Sequence, residues 1–289
     1  MKKNIFLCFL LFVFSCFLFS QESVFLETDD GWKIHAKFVK PKKDFIPTLL
    51  LIHSQKSNHT EWKKWFGDIE KYGFGWMALD LRGHGISTYK TDGSTQSYLS
   101  FSISDFSNDY NKMIRDIDSA VIYLSSMGIT EDKIILVGSN LGANLAMKYA
   151  AINKNIYAAV VINPSTNIND VLTVNPARLY GERPILFVTS QNNRRKMGEG
   201  LILYEITKKK TGFENTFLIV EYAFKSADDI SKSGIYKILN WIKNPVMPKI
   251  IEIDDILISS QTVIDTITAS SPYIILNDDE EKENKKKNE

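Results

Sequence analysis

Gly138-Ser139-Asn140-Leu141-Gly142 is the segment whose residue types and spacing come nearest to a catalytic centre. It follows the apolar run Ile134–Val137 and precedes Ala143-Asn144-Leu145-Ala146-Met147, an apolar stretch that reads as a helix. In the G-x-S-x-G pattern, a sharp turn between strand and helix exposes a central serine hydroxyl that attacks a carbonyl. Here the central place holds Asn140. An amide has no ionisable proton and is a very poor nucleophile. Ser139 is the nearest hydroxyl, but neighbouring residues at a sharp turn point in different directions, so it is expected to face away from any pocket. Gly138, Ser139 and Gly142 are therefore read as the scaffold of the turn.

The elements that must position this turn are legible in the hydrophobic pattern. Val24–Val39 alternates apolar and polar residues around Asp29-Asp30-Gly31, a hairpin signal. Thr48–His53, Gly75–Asp80, Lys133–Val137, Tyr157–Asn163, Pro184–Thr189 and Thr216–Glu221 are short, nearly continuous apolar runs of the kind buried parallel strands show. Residues 105–126, Leu141–Ala151, Gly198–Lys209 and Ile230–Lys243 carry helical spacing. Strand and helix alternate, which predicts an α/β class: a mostly parallel central sheet with helices on both faces.

The 289 residues carry a formal net charge of +1, so nothing points to a nucleic-acid partner. Both cysteines, Cys8 and Cys16, lie in the first twenty residues, where Lys2-Lys3 and the apolar run Ile5–Phe19 resemble an export signal. Three readings of that stretch stand: cleavage after Ser20, lipidation at Cys16, or retention as an N-terminal membrane anchor. The expected organisation is a signal over 1–20, one domain over 21–244, a C-terminal extension over 245–276 and a charged, disordered tail over 277–289. Export would place the protein in the periplasm or cell envelope.

Four motifs, in this order, resemble the α/β-hydrolase superfamily, in its serine esterase and aminopeptidase-like branch. They are Leu51-Ile52-His53-Ser54, the turn Asp80-Leu81-Arg82-Gly83-His84-Gly85-Ile86-Ser87, the elbow at Asn140, and Val161-Ile162-Asn163-Pro164-Ser165 followed later by Arg183-Pro184-Ile185-Leu186-Phe187-Val188. The resemblance implies the α/β-hydrolase fold over roughly residues 24 to 243. It also implies a triad in chain order nucleophile, acid, histidine.

At the acid position, after Pro184–Thr189, this chain has Asn192 and Asn193; at the histidine position, after the last strand, it has Lys225. The chain has only four histidines, the last of them His84, so no late imidazole is available. Asn140, Asn193 and Lys225 thus mark degenerate triad positions. The resemblance also implies oxyanion donors at Leu141 and near Ser54 or Gln55, able to hold a carbonyl or carboxylate without chemistry. Lys225 would be a general base only if buried. His53 and His84 are read as structural, His35 and His59 as surface residues. No motif for a metal or a cofactor is present. Two functions follow as expectations: a pseudo-hydrolase binding a small polar or anionic ligand or a partner in the cell envelope, or an active ester or peptide hydrolase using non-standard groups.

Overall fold

The computed structural model describes residues 21–103 and 108–245. The segments read as export signal and charged tail, and the C-terminal extension from residue 246 on, fall outside the described residues. Ten strands and seven α-helices are named among the described ones: β1 (Glu22–Glu27), β2 (Lys33–Val39), β3 (Thr48–Ile52), α1 (Lys63–Tyr72), β4 (Gly75–Leu79), α2 (Asp109–Lys112), α3 (Ile114–Ser126), β5 (Ile134–Ser139), α4 (Leu141–Ile152), β6 (Ala158–Ile162), β7 (Asn167–Ile168), β8 (Val171–Leu172), α5 (Val174–Leu179), β9 (Ile185–Ser190), α6 (Arg194–Thr211), β10 (Thr216–Glu221) and α7 (Lys232–Lys243).

Eight strands form one sheet in the order β1-β2-β4-β3-β5-β6-β9-β10. β1 and β2 pair antiparallel, as do β2 and β4, and every pairing from β4 to β10 is parallel. The central strands are apolar throughout because both faces are covered. Successive side chains of a strand point to opposite faces. Leu50 and Ile52 of β3 accordingly join Leu136, Met113, Ile117, Leu145 and Leu203 on one face. Leu49 and Leu51 join Val137, Trp65, Ile69, Ile238 and Trp241 on the other. The first face is covered by helices including α3, α4 and α6, the second by α1 and α7. The parallel strands end together at one edge, where crevices for ligands form in such sheets.

Two helices differ from the sequence pattern, each for a local reason. The continuous helix expected over 105–126 is divided at Met113, whose N–H reaches the Tyr110 carbonyl and whose carbonyl takes the Asp116 N–H, three-residue steps that tighten the turn. α6 begins at Arg194 instead of Gly198 because the Asn193 side chain accepts the Lys196 N–H and caps it there.

Candidate functional site

The elbow forms where β5 ends and α4 begins. Asn140 is held at φ 49, ψ −109, a strained combination for a residue with a side chain, costing about 1–3 kcal/mol. Its N–H donates to Ile162 O at 2.9 Å, and its carbonyl takes the N–H groups of Ala143 and Asn144. The flanking glycines are required by close backbone approach: a Cβ on Gly138 would lie 2.1 Å from Gly142 O, and one on Gly142 would lie 2.1 Å from Ile52 O. The scaffold glycines therefore serve the turn itself, whatever stands between them.

Asn140 Nδ2 donates to Ser54 Oγ at 3.1 Å and to the Lys225 carbonyl at 2.9 Å. Asn163, at the end of β6 and also at φ 49, donates from Nδ2 towards the Phe224 and Lys225 carbonyls and accepts the Ser190 N–H on Oδ1. A cavity of about 330 Å³ opens here, lined by Asn140, Asn163, Ser190, Asn192, Asn193, Lys196, Phe224, Lys225 and Asp229, among others. Asn140, Asn193 and Lys225, read from the sequence as the three triad positions, thus line one crevice. Their side chains do not meet as a triad would: Asn193 is committed to capping α6, and it is the carbonyl of Lys225, not its ammonium, that holds Asn140.

Ser139 is fully buried. Its Oγ accepts the Ala227 N–H at 3.1 Å and lies 3.0 Å from Ser54 Oγ, on the floor beneath the cavity. The expectation that Ser54 offers an oxyanion donor is corrected. Its N–H donates to Glu61 Oε2 at 2.8 Å and its Oγ to Glu61 Oε1 at 2.9 Å, so a buried carboxylate already uses both. The Gln55 side chain turns to the Tyr110 hydroxyl. Leu141 opens α4, where an N–H has no carbonyl one turn back to take it.

No histidine lines this cavity. His53 is fully buried; its Nδ1 donates to Ser54 O and its Nε2 accepts the Leu81 N–H. Burial, reinforced by nearby His84, pulls its pKa down to about 3, so the ring is neutral. His84 is lowered by burial as well, and its Nε2 has no partner among the described residues. The reading of His35 and His59 as surface residues is corrected too. His35 is 1% exposed, and both rings aim Nδ1 at the Asp80 carboxylate, at 3.0 and 2.7 Å. These three side chains are also close enough together to be considered as ligands. The carboxylate, however, already takes the two Nδ1 groups and the His59 and Ile86 N–H groups at hydrogen-bond lengths. Burial alone would raise the Asp80 carboxyl, but these bonds override it and hold it far below the usual range.

His53 carries a pH prediction. The unfolded ring takes up a proton below about 6.5 while the folded ring stays neutral to about 3. The unfolded state therefore binds the extra proton, and folding stability falls as pH drops from 6.5 towards 3, by up to about 1.4 kcal/mol per pH unit. Urea unfolding at pH 7 and pH 4.5 is expected to show this loss, and His53→Asn to reduce it. Equal slopes in both proteins would reject the assignment.

Two further residues of this region were invisible to the motif reading, since each acts through a contact distant in sequence. Glu61 binds Ser54 and the Ala227 N–H beneath the elbow. Lys196 lines the cavity and donates from Nζ to Ser165 Oγ at 2.6 Å, and burial lowers its pKa below the ordinary lysine value.

The family described as "Serine aminopeptidase, S33" matches residues 47–192, half of the chain. No curated protein matches. Among solved structures, the chain is similar to the Pyrococcus furiosus esterase Pf2001, with 17% identity, a TM-score of 0.63, and coverage of 80% of this chain and 92% of that one. It is similar to the dienelactone hydrolase from Anabaena variabilis at 11% identity and TM-score 0.58, covering 78% and 95%. The acetyl xylan esterase from Paenibacillus sp. R4 shows 14% identity and TM-score 0.56, covering 76% and 82%. At these identities the likeness establishes the fold alone. With the eight-stranded sheet, the elbow and the matched motifs in place, the chain belongs to the serine aminopeptidase family of α/β-hydrolases.

Proposed function

We propose that the cavity above the elbow binds a small polar or anionic ligand bearing a carbonyl or carboxylate, and that acyl transfer of the serine–histidine–acid kind is not run from Asn140. The observation that carries this reading is Asn140 itself: a side chain without a nucleophilic atom stands in the elbow conformation, its amide tied to Ser54 Oγ and the Lys225 carbonyl. The lining supports a polar guest, with Asn140, Asn163, Asn192, Asn193, Lys196 and Lys225 around the cavity.

Hydrolysis of a short-chain chromogenic ester by the chain from Gln21 onward tests the second part. Asn140→Ala is expected to lower whatever rate is present by no more than the roughly fivefold that one lost binding contact accounts for, and a hundredfold fall in kcat would overturn the reading. Thermal-shift titration with butyrate tests the first part. A rise in melting temperature is expected, with Asn140→Ala weakening the apparent affinity roughly fivefold, the worth of about 1 kcal/mol from one hydrogen bond. A flat titration with the natural chain counts against a carboxylate ligand.

A second reading, an ester or peptide hydrolase using other groups, is favoured by membership of a hydrolase family whose structural neighbours include esterases. One contact at the cavity wall, the hydrogen bond between Lys196 and Ser165, gives it a chemical basis.

A further inference from the structure

Ser165 follows the strained Asn163 and Pro164 at the C-terminal end of β6, on the edge of the sheet where the cavity opens. Both of its backbone groups are fixed. Its N–H donates to Asn144 Oδ1 at 3.0 Å, and its carbonyl accepts Thr173 Oγ1 at 2.6 Å. The hydroxyl is thereby aimed at α6, where Lys196 Nζ stands 2.6 Å away. Lys196 is held in turn, its N–H capped by Asn193. Ser165 is 2% exposed and is not among the residues lining the cavity, whereas Lys196 is. Lys196 thus touches both the hydroxyl and the cavity, and a substrate in the cavity reaches Ser165 only if the lysine side chain swings aside.

We propose that Ser165 is an acyl-accepting nucleophile and Lys196 its general base, serving carbonyl substrates held in the cavity beside Asn140. This rests on the second reading above. Serine–lysine pairs perform this chemistry because an uncharged amine can take the hydroxyl proton as the oxygen attacks. Ser165 Oγ bonds to the carbonyl carbon as its proton passes to Nζ. The leaving group departs with that proton. Water then attacks the acyl-serine, giving a proton to Nζ; the acid leaves, and the proton returns to Ser165 Oγ.

The amine must be uncharged to act, and burial works in that direction. Arg195 on the same helix adds to the effect, whereas Glu199, one turn along, opposes it and accepts a hydrogen bond from the Ser165 hydroxyl at rest, so the hydroxyl turns to the uncharged Nζ before attack. Lys225 and Asp229 bring one charge of each sign to the same cavity.

A fluorophosphonate probe tests the pair, since it reports a reactive serine hydroxyl without needing the natural substrate. The oxygen displaces fluoride from phosphorus, and the proton leaves through the base. Peptide mapping of the labelled full chain is expected to find the adduct on Ser165, absent in Ser165→Ala. Lys196→Arg keeps the charge and the hydrogen-bond donors but cannot lose a proton. It is expected to retain the natural melting temperature and to label at least about 100-fold more slowly, the worth of a general base. The labelling rate of the natural chain is expected to rise with pH and level off at an inflection below 10.5, the ordinary lysine value.

An unlabelled Ser165 in the folded chain, a Lys196→Arg rate equal to the natural one, or a rate without that inflection would each overturn the proposal. Butyrate titration of the same samples separates it from the ligand reading. A butyrate shift with no label at Ser165 rejects the dyad and leaves the ligand reading standing. A label with no shift does the reverse.

Discussion

Replacing Asp116 with alanine is expected to cost about 3–5 kcal/mol of folding stability, the range for stripping one partner from a buried ion pair. Arg82 is 1% exposed. Its Nε donates to Asp116 Oδ1 at 2.8 Å, and its own N–H donates to Asp116 Oδ2 at 2.8 Å. A second guanidinium nitrogen lies 2.7 Å from Asp116 Oδ1. Asp30 takes two more contacts, at 2.6 and 3.0 Å, and the guanidinium rests over the Trp32 ring. Burial opposes this charge, yet the carboxylates of Asp116 and Asp30 raise the Arg82 pKa above the ordinary value.

Alanine at 116 leaves the cation to the half-buried Asp30 alone and orphans the Arg82 N–H. Equilibrium urea unfolding at pH 7 reads the loss. The double variant Arg82→Met, Asp116→Leu is expected to recover only part of it: an apolar pair of similar volume escapes the desolvation cost of the charged pair, but the residue-82 N–H stays orphaned and Asp30 loses its Arg82 contacts. A loss under about 1 kcal/mol for Asp116→Ala would mean that Asp30 suffices, and that the turn from Asp80 to Ser87 does not depend on α3.

How much of this was legible in the sequence depended on how local each signal was. The elbow was readable because strand, turn and helix follow one another within fifteen residues, and the identity of Asn140 needed no geometry. The sheet was readable because its strands, buried on both faces, are written as apolar runs. Placing Lys225 beside Asn140 was a matter of counting past the last strand, and both residues line the cavity. Which atom of Lys225 faces Asn140 was not readable, because it depends on the path of residues 222–229.

That path is set by Glu61, Ser139 and Trp65, between 88 and 166 residues away along the chain. His35 was misread for a related reason. Strand alternation marks a polar residue as outward, but β2 lies inside the sheet between β1 and β4, and Asp80 arrives from the end of β4 to receive its ring. The Lys196–Ser165 contact joins the first turn of α6 to the connection after β6, 31 residues apart, with no spacing rule to announce it.

Glu61→Leu is the second large effect expected, because Glu61 is what joins the elbow's floor to the cavity's far wall. Its Oε1 takes Ser54 Oγ at 2.9 Å and the Ala227 N–H at 3.2 Å, and its Oε2 takes the Ser54 N–H at 2.8 Å. Ala227 sits in the short helical turn Ala227–Asp229, and its carbonyl is fixed on the other side by Trp65 Nε1 at 2.9 Å. Two buried N–H donors lose this acceptor in Glu61→Leu, although Ala227 retains the hydroxyl of Ser139. At about 1–3 kcal/mol for the orphaned Ser54 N–H, with a smaller loss at Ala227, the expected destabilisation is about 1–4 kcal/mol.

Glu61→Gln is expected to fall between. Its amide oxygen can keep the Ser54 hydroxyl and the Ala227 N–H, while its NH2 group meets the Ser54 N–H donor to donor. Because the same loop carries the Lys225 carbonyl that holds Asn140, the butyrate-induced rise in melting temperature should shrink in step with stability across Glu, Gln and Leu. A Glu61→Leu protein that loses less than about 1 kcal/mol and keeps its full butyrate response would show that Trp65 and Ser139 fix the loop without help. The carboxylate would then have no part in shaping the cavity.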